Sequence, residues 1–267
     1  MTRTILITGA SSGIGAAVVE EYVRAGHRVA ALARRTDRLE ELKTKLAGGP
    51  GEVLPIACDV LKDDDLNKAV EKIHTQWGPV DTVFANAGFG VVGPAAGLKI
   101  EDYERQFATN VYGVLRTLNA TLFDLRETRG RFAVTGSVAG FISLPGGAAY
   151  SMSKFAIRAF CDALYFELKL TGIAVTHIAP GFVVSEIHKV DNLGAFHPHA
   201  KHHIPAWICV PTHKAAREIF RAIEGRKRER IVTGHGKILT WVYRHFPWAF
   251  RFIVGALALK ARPSVQR

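Results

Sequence analysis

The apolar run Thr4-Ile5-Leu6-Ile7-Thr8 stops at Gly9-Ala10-Ser11-Ser12-Gly13-Ile14-Gly15, and a helical pattern over 13–26 follows, closing at Gly26. A buried strand that passes through a glycine-rich turn into a helix narrows the possible folds sharply. Glycines at 9, 13 and 15 permit a tight turn and close backbone approach. The helix that follows turns free N–H groups and a positive dipole end toward whatever lies above the turn. The spacing is Gly-x3-Gly-x-Gly rather than Gly-x-Gly-x2-Gly. In isolation such a turn can be an ordinary loop. Directly after the first strand of an alternating α/β chain, it points to a bound phosphate.

The alternation continues. Strand patterns at 27–33, 52–57, 80–85, 131–136 and 173–179 are separated by helical patterns at 36–47, 63–77, 101–126 and 150–171, with a further helix at 212–225 and a strand at 230–233. Short apolar strands between helices predict an α/β fold: a Rossmann-type, doubly wound parallel sheet with helices on both faces, in a single domain. No repeat, low-complexity tract or linker interrupts 1–182. The expected organisation is a catalytic unit over 1–235, including a long loop at 182–211, and a basic extension over 236–267.

At the end of the second strand an NAD ribose would be met by a carboxylate, yet the chain reads Ala33-Arg34-Arg35. Two guanidiniums at the start of a helix oppose its dipole, and they suit a 2′-phosphate through charge-assisted bonds. NADP is therefore expected in preference to NAD. Farther on, Tyr150 and Lys154 are four residues apart at the start of a helical pattern, which stacks them on one face. An ammonium beside a phenol favours the phenolate, so Tyr150 is expected below its ordinary value of about 10 and suited to proton transfer.

Composition bounds the rest. With 48% hydrophobic residues among 267, a sizeable core is available. Cys58, Cys161 and Cys209 are too scattered for a disulfide framework or a zinc pattern. They read as small buried thiols of a reducing compartment. Met1-Thr2-Arg3 runs straight into the first strand, which reads as lacking a signal peptide. Together these predict a cytoplasmic protein. The net charge of +11 is lopsided: beyond residue 200 the only acidic residues are Glu218, Glu224 and Glu229, and the whole basic excess lies in this last quarter. That asymmetry suggests an anionic partner.

These residues together resemble the short-chain dehydrogenase/reductase family, in its form of about 250 residues. Thr8-Gly9-Ala10-Ser11-Ser12-Gly13-Ile14-Gly15 matches the family's TGxxxGxG, Asn86-Ala87-Gly88 its NAG motif, and Pro180-Gly181 its PG motif. Asn110, Ser137, Tyr150 and Lys154 match its catalytic tetrad in order and spacing. The likeness is continuous over about 1–185 and looser over 212–233. It implies that Tyr150 exchanges a proton with the substrate oxygen, that Lys154 lowers its pKa and holds the nicotinamide ribose, and that Ser137 hydrogen-bonds the same oxygen. Asn110 would hold a water linking Lys154 to solvent. The implied cofactor contacts are Gly9, Ser11, Ser12, Gly13, Ile14, Gly15, Arg34, Arg35, Asp59, Val60, Asn86, Ala87, Gly88, Tyr150, Lys154, Pro180, Gly181, Val183 and Ser185. Ser185 stands where the family often has Thr, and it keeps the hydroxyl. The helices at 101–126 and 150–171 resemble those that pair family subunits, which implies a homodimer.

The loop at 182–211 follows the sixth strand and is rich in Phe, Val, Ile and Trp. With Phe141, Ile142 and Leu144 it is expected to form an apolar wall, and so to take a lipophilic substrate. It also carries His188, His197, His199, His202 and His203. The last four have no carboxylate among them, and no metal site is expected; charging between about pH 5 and 8 is expected to loosen the loop. In the extension, the apolar run from Phe246 to Leu259 is 14 residues long, short of the ~20 that span a bilayer. Its tryptophans and basic residues leave two readings open: an anionic membrane surface, or packing over the pocket or a second subunit. Aromatic and aliphatic residues dominate between the charges, which argues against nucleic acid. The expected activity is NADP(H)-dependent interconversion of a carbonyl and an alcohol. The alternative is a non-catalytic NADP-binding sensor or scaffold.

Overall fold

The computed structural model describes residues 2–197, 199 and 205–260. Its centre is a parallel sheet of seven strands in the order β3-β2-β1-β4-β5-β6-β7. The strands are β1 (Thr4–Thr8), β2 (Arg28–Ala33), β3 (Glu52–Ala57), β4 (Thr82–Ala85), β5 (Arg131–Thr135), β6 (Ala174–Ala179) and β7 (Glu229–Ile231). Side chains alternate across each strand, and the sequence exploits both faces. Ile5, Ile7, Val29, Ala31, Phe84 and Ala133 enter one core with helices α1 (Gly13–Arg24), α2 (Thr36–Leu46) and α7 (Thr212–Glu224). Leu6, Ala30, Leu32, Val83, Phe132 and Val134 enter the other with α3 (Asp63–Trp77), α5 (Gly113–Thr128) and α6 (Ala148–Leu168). Strands buried on both faces explain the continuous apolar runs.

The strand order reverses between β1 and β4, which opens a crevice above their C-terminal ends. Every motif residue singled out above lies at this end of the sheet. At the far edge, β6 and β7 pair in register, Ala179 with Ile231.

The helix expected over 101–126 and the extension depart from the sequence expectation, while the long loop at 182–211 keeps its irregular character. The helix expected over 101–126 is broken into α4 (Ile100–Phe107), a π-helical turn (Ala108–Tyr112) and α5. Such a turn shifts the helix face by about one residue, a phase change that the short apolar patterns on either side do not resolve. Close packing accompanies it: a Cβ on Gly113 would lie 2.8 Å from Val60 Cγ2. The long loop at 182–211 contains short 3-10 turns at Glu186–Lys189 and Ala206–Ile208. The extension forms two helices, α8 (Gly234–His245) and α9 (Pro247–Lys260), divided where Pro247 lacks the N–H needed to continue α8. Among the described residues no helix is long and apolar enough to cross a membrane.

Candidate active site

The glycine turn is shaped by backbone contact. Gly9 and Gly13 adopt φ of 65° and 54°, a region costly for other residues. A Cβ on Gly9 would lie 2.8 Å from Ala87 Cα, and one on Gly15 would overlap the Gly9 carbonyl. The turn therefore presents bare backbone at the N-terminus of α1, as a dinucleotide pyrophosphate requires. Ile14 is half-buried behind it. Asn86 fixes the turn to the sheet. Its Nδ2 donates to the carbonyls of Thr8 (3.1 Å) and Gly9 (3.3 Å), and its Oδ1 accepts from Thr135 Oγ1 at 3.0 Å. Asn86 N–H and Ala87 N–H both donate to Thr8 Oγ1.

Arg35 reaches back over this turn. Its guanidinium donates to Ser11 Oγ and, at 2.8 Å, to Ser12 Oγ, and it pairs with Glu186 at 3.1 Å. Arg34 is exposed. Two hydroxyls and a guanidinium converging beside the glycine turn are a donor set suited to a phosphate monoester. Asp59 caps its own turn by accepting from Leu61 N–H, and Val60 is buried against α5.

Lys154 and Tyr150 lie on one face of α6, with Lys154 Nζ 5.6 Å from the centre of the Tyr150 ring. Lys154 is only 4% exposed, and its Nζ donates to the Thr135 carbonyl at 2.7 Å. Burial depresses this ammonium to about 8. The Tyr150 phenol moves opposite to the sequence expectation. Burial pushes it above its ordinary value, and the Ser137 hydroxyl pulls it back only in part. Helix spacing reveals that Lys154 is a neighbour but not how deep the pair sits, and depth dominates here. Ser137 leaves β5 just after Gly136, where a Cβ would overlap the His177 ring. Its Oγ accepts from Ala139 N–H and lies 3.5 Å from the Pro180 carbonyl.

Asn110 sits in the π-helical turn and is 1% exposed. Its Oδ1 accepts from Phe89 N–H at 3.1 Å, and its Nδ2 donates to the Phe89 carbonyl and to Ser153 Oγ. The side chain is a clamp joining α6 to the segment after Gly88. Any role in holding water would fall to its main chain, which the π-turn takes off the regular helical ladder. Gly88 abuts this amide, and a Cβ on Gly90 would lie 3.6 Å from the Tyr150 ring.

The wall is more divided than expected. Val183 and Ile142 are buried, while Leu144, Val184, Leu193 and Trp207 are exposed. Phe141 lies under the Arg158 guanidinium at 4.0 Å and beside His177. Ser185 approaches Gly13 closely. Asn192 exchanges two hydrogen bonds with the Val92 backbone, tying the long loop down across the crevice. His197 Nε2 meets Asp191 Oδ2 at 2.7 Å, joining two points of this part of the loop. His202 and His203 lie outside the described residues, as does Ile204.

Sequence reasoning missed two contributors. Gln106, fully buried, donates to the Phe89 carbonyl and accepts from Val91 N–H. His235 Nε2 accepts the N–H of Phe182, directly after Pro180-Gly181. Gln106 is one polar residue among several in α4, and nothing in the sequence marked either as buried or bonded to a distant backbone.

A family model described as short chain dehydrogenase matches residues 3–194. An uncharacterized oxidoreductase of Myxococcus xanthus is 39% identical over 191 residues, covering 71% of this chain and 76% of its own. A dehydrogenase/reductase SDR family protein 7-like of Dictyostelium discoideum is 29% identical, over 96% of this chain and 82% of its own. Among solved structures, an alcohol dehydrogenase from the archaeon Thermococcus sibiricus, complexed with 5-hydroxy-NADP, superposes with a TM-score of 0.76. It is 27% identical and covers 86% of this chain and 96% of its own.

Proposed function

The chain belongs to the short-chain dehydrogenase family, and from that premise we propose that it is an NADP(H)-dependent oxidoreductase that interconverts a carbonyl and an alcohol on a lipophilic substrate. The observation that carries this reading is Tyr150 stacked beside the buried Lys154 and held by Ser137, at the same sheet end as the bare glycine turn. NADPH, when bound, supplies the hydride. The protein's own residues handle the proton. Tyrosine is a phenol at neutral pH, the form that donates to a substrate oxygen during carbonyl reduction, and burial pushes Tyr150 further toward it. Ser137 Oγ–H supplies a second hydrogen bond to that oxygen. The Lys154 ammonium, 5.6 Å from the ring centre, offsets the negative charge left on the phenolate. The groups present at neutral pH are those that carbonyl reduction uses.

NADP over NAD rests on Arg35 with Ser11 and Ser12, and on exposed Arg34. The Thermococcus sibiricus protein binds an NADP derivative, which agrees. Lipophilic character rests on Ile142, Leu144 and Val183, carried on the segments that follow β5 and β6 at the site's end of the sheet. A homodimer through α5 and α6 belongs to the same reading, since both carry exposed aromatic residues, including Phe123, Phe155 and Phe166.

The test is NADPH oxidation over ketones and aldehydes of graded chain length, with NADH as the control. Turnover that rises with chain length and favours NADPH is expected. Tyr150→Phe should abolish turnover and keep cofactor binding. Binding of NADPH with no turnover of any carbonyl would favour the sensor reading.

A further inference from the structure

No Asp or Glu follows Glu229 in the sequence. Along α8 and α9 this leaves Lys237, Arg244 and Arg251, all exposed, with no carboxylate partner among the described residues. The same two helices expose Ile238, Trp241, Phe246, Trp248, Phe252 and Ile253, with Trp248 72% and Phe252 77% accessible. An unpartnered patch of this kind marks an interaction surface. α8 is the principal neighbour of α9. Tyr243 meets Phe250 edge-on at 5.2 Å, and Trp241 packs on His245 and Phe246. The two helices are joined at this corner through Tyr243 and Phe250, and their apolar and basic side chains stay bare.

Charge selects the occupant. A second copy meeting this face about a twofold axis would set like charges against like charges, with no acidic residue on either side to relieve them. A nucleic acid would satisfy the cations but leave six large apolar side chains in water. An anionic lipid surface satisfies both: headgroups pair with the Lys and Arg side chains, and Trp and Phe enter the headgroup–acyl boundary. At about 1.5 Å per residue, α9 is roughly 21 Å long, short of the ~30 Å hydrocarbon core. It can lie on a bilayer and cannot span one. We propose that the exposed side of α8 and α9 is a peripheral docking face for anionic membranes.

The experiment uses the full chain and two vesicle preparations, phosphatidylcholine alone and phosphatidylcholine with phosphatidylglycerol. The protein should sediment with the anionic vesicles and not the neutral ones, its tryptophan emission should shift to the blue, and high salt should release it. Full-length Trp248→Ser/Phe252→Ser and Arg244→Glu/Arg251→Glu should each lose vesicle affinity by about tenfold or more. Both should keep the parent melting temperature and the parent mass by light scattering. The proposal is overturned if the parent ignores anionic vesicles or if both variants bind them equally well. It is also overturned if the Trp248→Ser/Phe252→Ser variant changes mass in solution, because a second copy would then be the occupant. None of these readings depends on whether a carbonyl substrate is found.

Discussion

His235 holds the Phe182 backbone: its Nε2 accepts the Phe182 N–H at 2.9 Å, and the two rings stack with centroids 5.5 Å apart. An imidazole that accepts at Nε2 must be neutral and carry its proton on Nδ1. Burial pushes His235 below its ordinary value, which favours that form. Thr233 and His235 also crowd the position where Gly181 would carry a Cβ. The segment entering the long loop is therefore buttressed by the root of α8.

This bond should make the cofactor site pH-sensitive. A folded-state pKa below the unfolded one gives a contribution that is fully present above the unfolded value of about 6.5 and is lost as pH falls through the folded value. His235→Gln keeps an acceptor that cannot be protonated, so its melting temperature should fall less than the parent's between about pH 7 and 5. His235→Leu should raise KM for cofactor severalfold at every pH. Parallel melting curves for parent and Gln variant would remove the argument.

Lys154 sacrifices stability for chemistry. Its depression to about 8 from 10.5 means that holding the charge in the fold costs on the order of 3 kcal/mol near neutral pH. Lys154→Met should raise the unfolding free energy by about 1–3 kcal/mol, after allowing for the lost bond to Thr135. It should also abolish turnover. In the parent, stability should climb as pH rises from about 8 toward 10.5, and the Met variant should lack that climb. Urea denaturation at two pH values distinguishes the cases.

Arg35 is shared between the glycine turn and Glu186. Arg35→Ala should weaken NADPH by about ten- to a hundredfold and NADH little, because only the first carries the 2′-phosphate. Glu186→Gln frees the guanidinium and should tighten NADPH modestly. Calorimetric titration of both cofactors reads each effect without any substrate.

Asn110 satisfies the N–H and carbonyl of Phe89 and meets Ser153. Asn110→Ala leaves these groups unpaired in a buried place and should cost about 2–4 kcal/mol. The loss should appear in denaturant unfolding, and kcat should fall because Gly90 lies against Tyr150. Unchanged stability would mean that water replaces the amide.

The sequence-readable parts share a physical character. β1, the glycine turn and the Tyr150–Lys154 spacing are local, and local geometry determines which groups become neighbours. The double-sided burial of Ile5, Leu6 and Ile7 follows from their unbroken apolar run. Arg35 was legible because a cation at that point opposes a helix dipole and needs a reason. What stayed hidden is non-local or depth-dependent. His235 serves a backbone N–H 53 residues away, and any residue could supply that N–H. Asn192 meets Val92 across 100 positions. The upward shift of Tyr150 depends on how much protein covers it, which spacing cannot express.

The in-register pairing of β6 with β7, Ala179 with Ile231, has a mechanical consequence. Two chain segments leave the sheet side by side there: one runs through Pro180 and Gly181 into Phe182, and the other turns through Thr233 into α8. His235, at the root of α8, accepts the Phe182 N–H of the neighbouring segment. The start of the long loop and the start of the extension therefore share one sheet edge and one hydrogen bond, so a substitution at the root of α8 is felt first at Phe182.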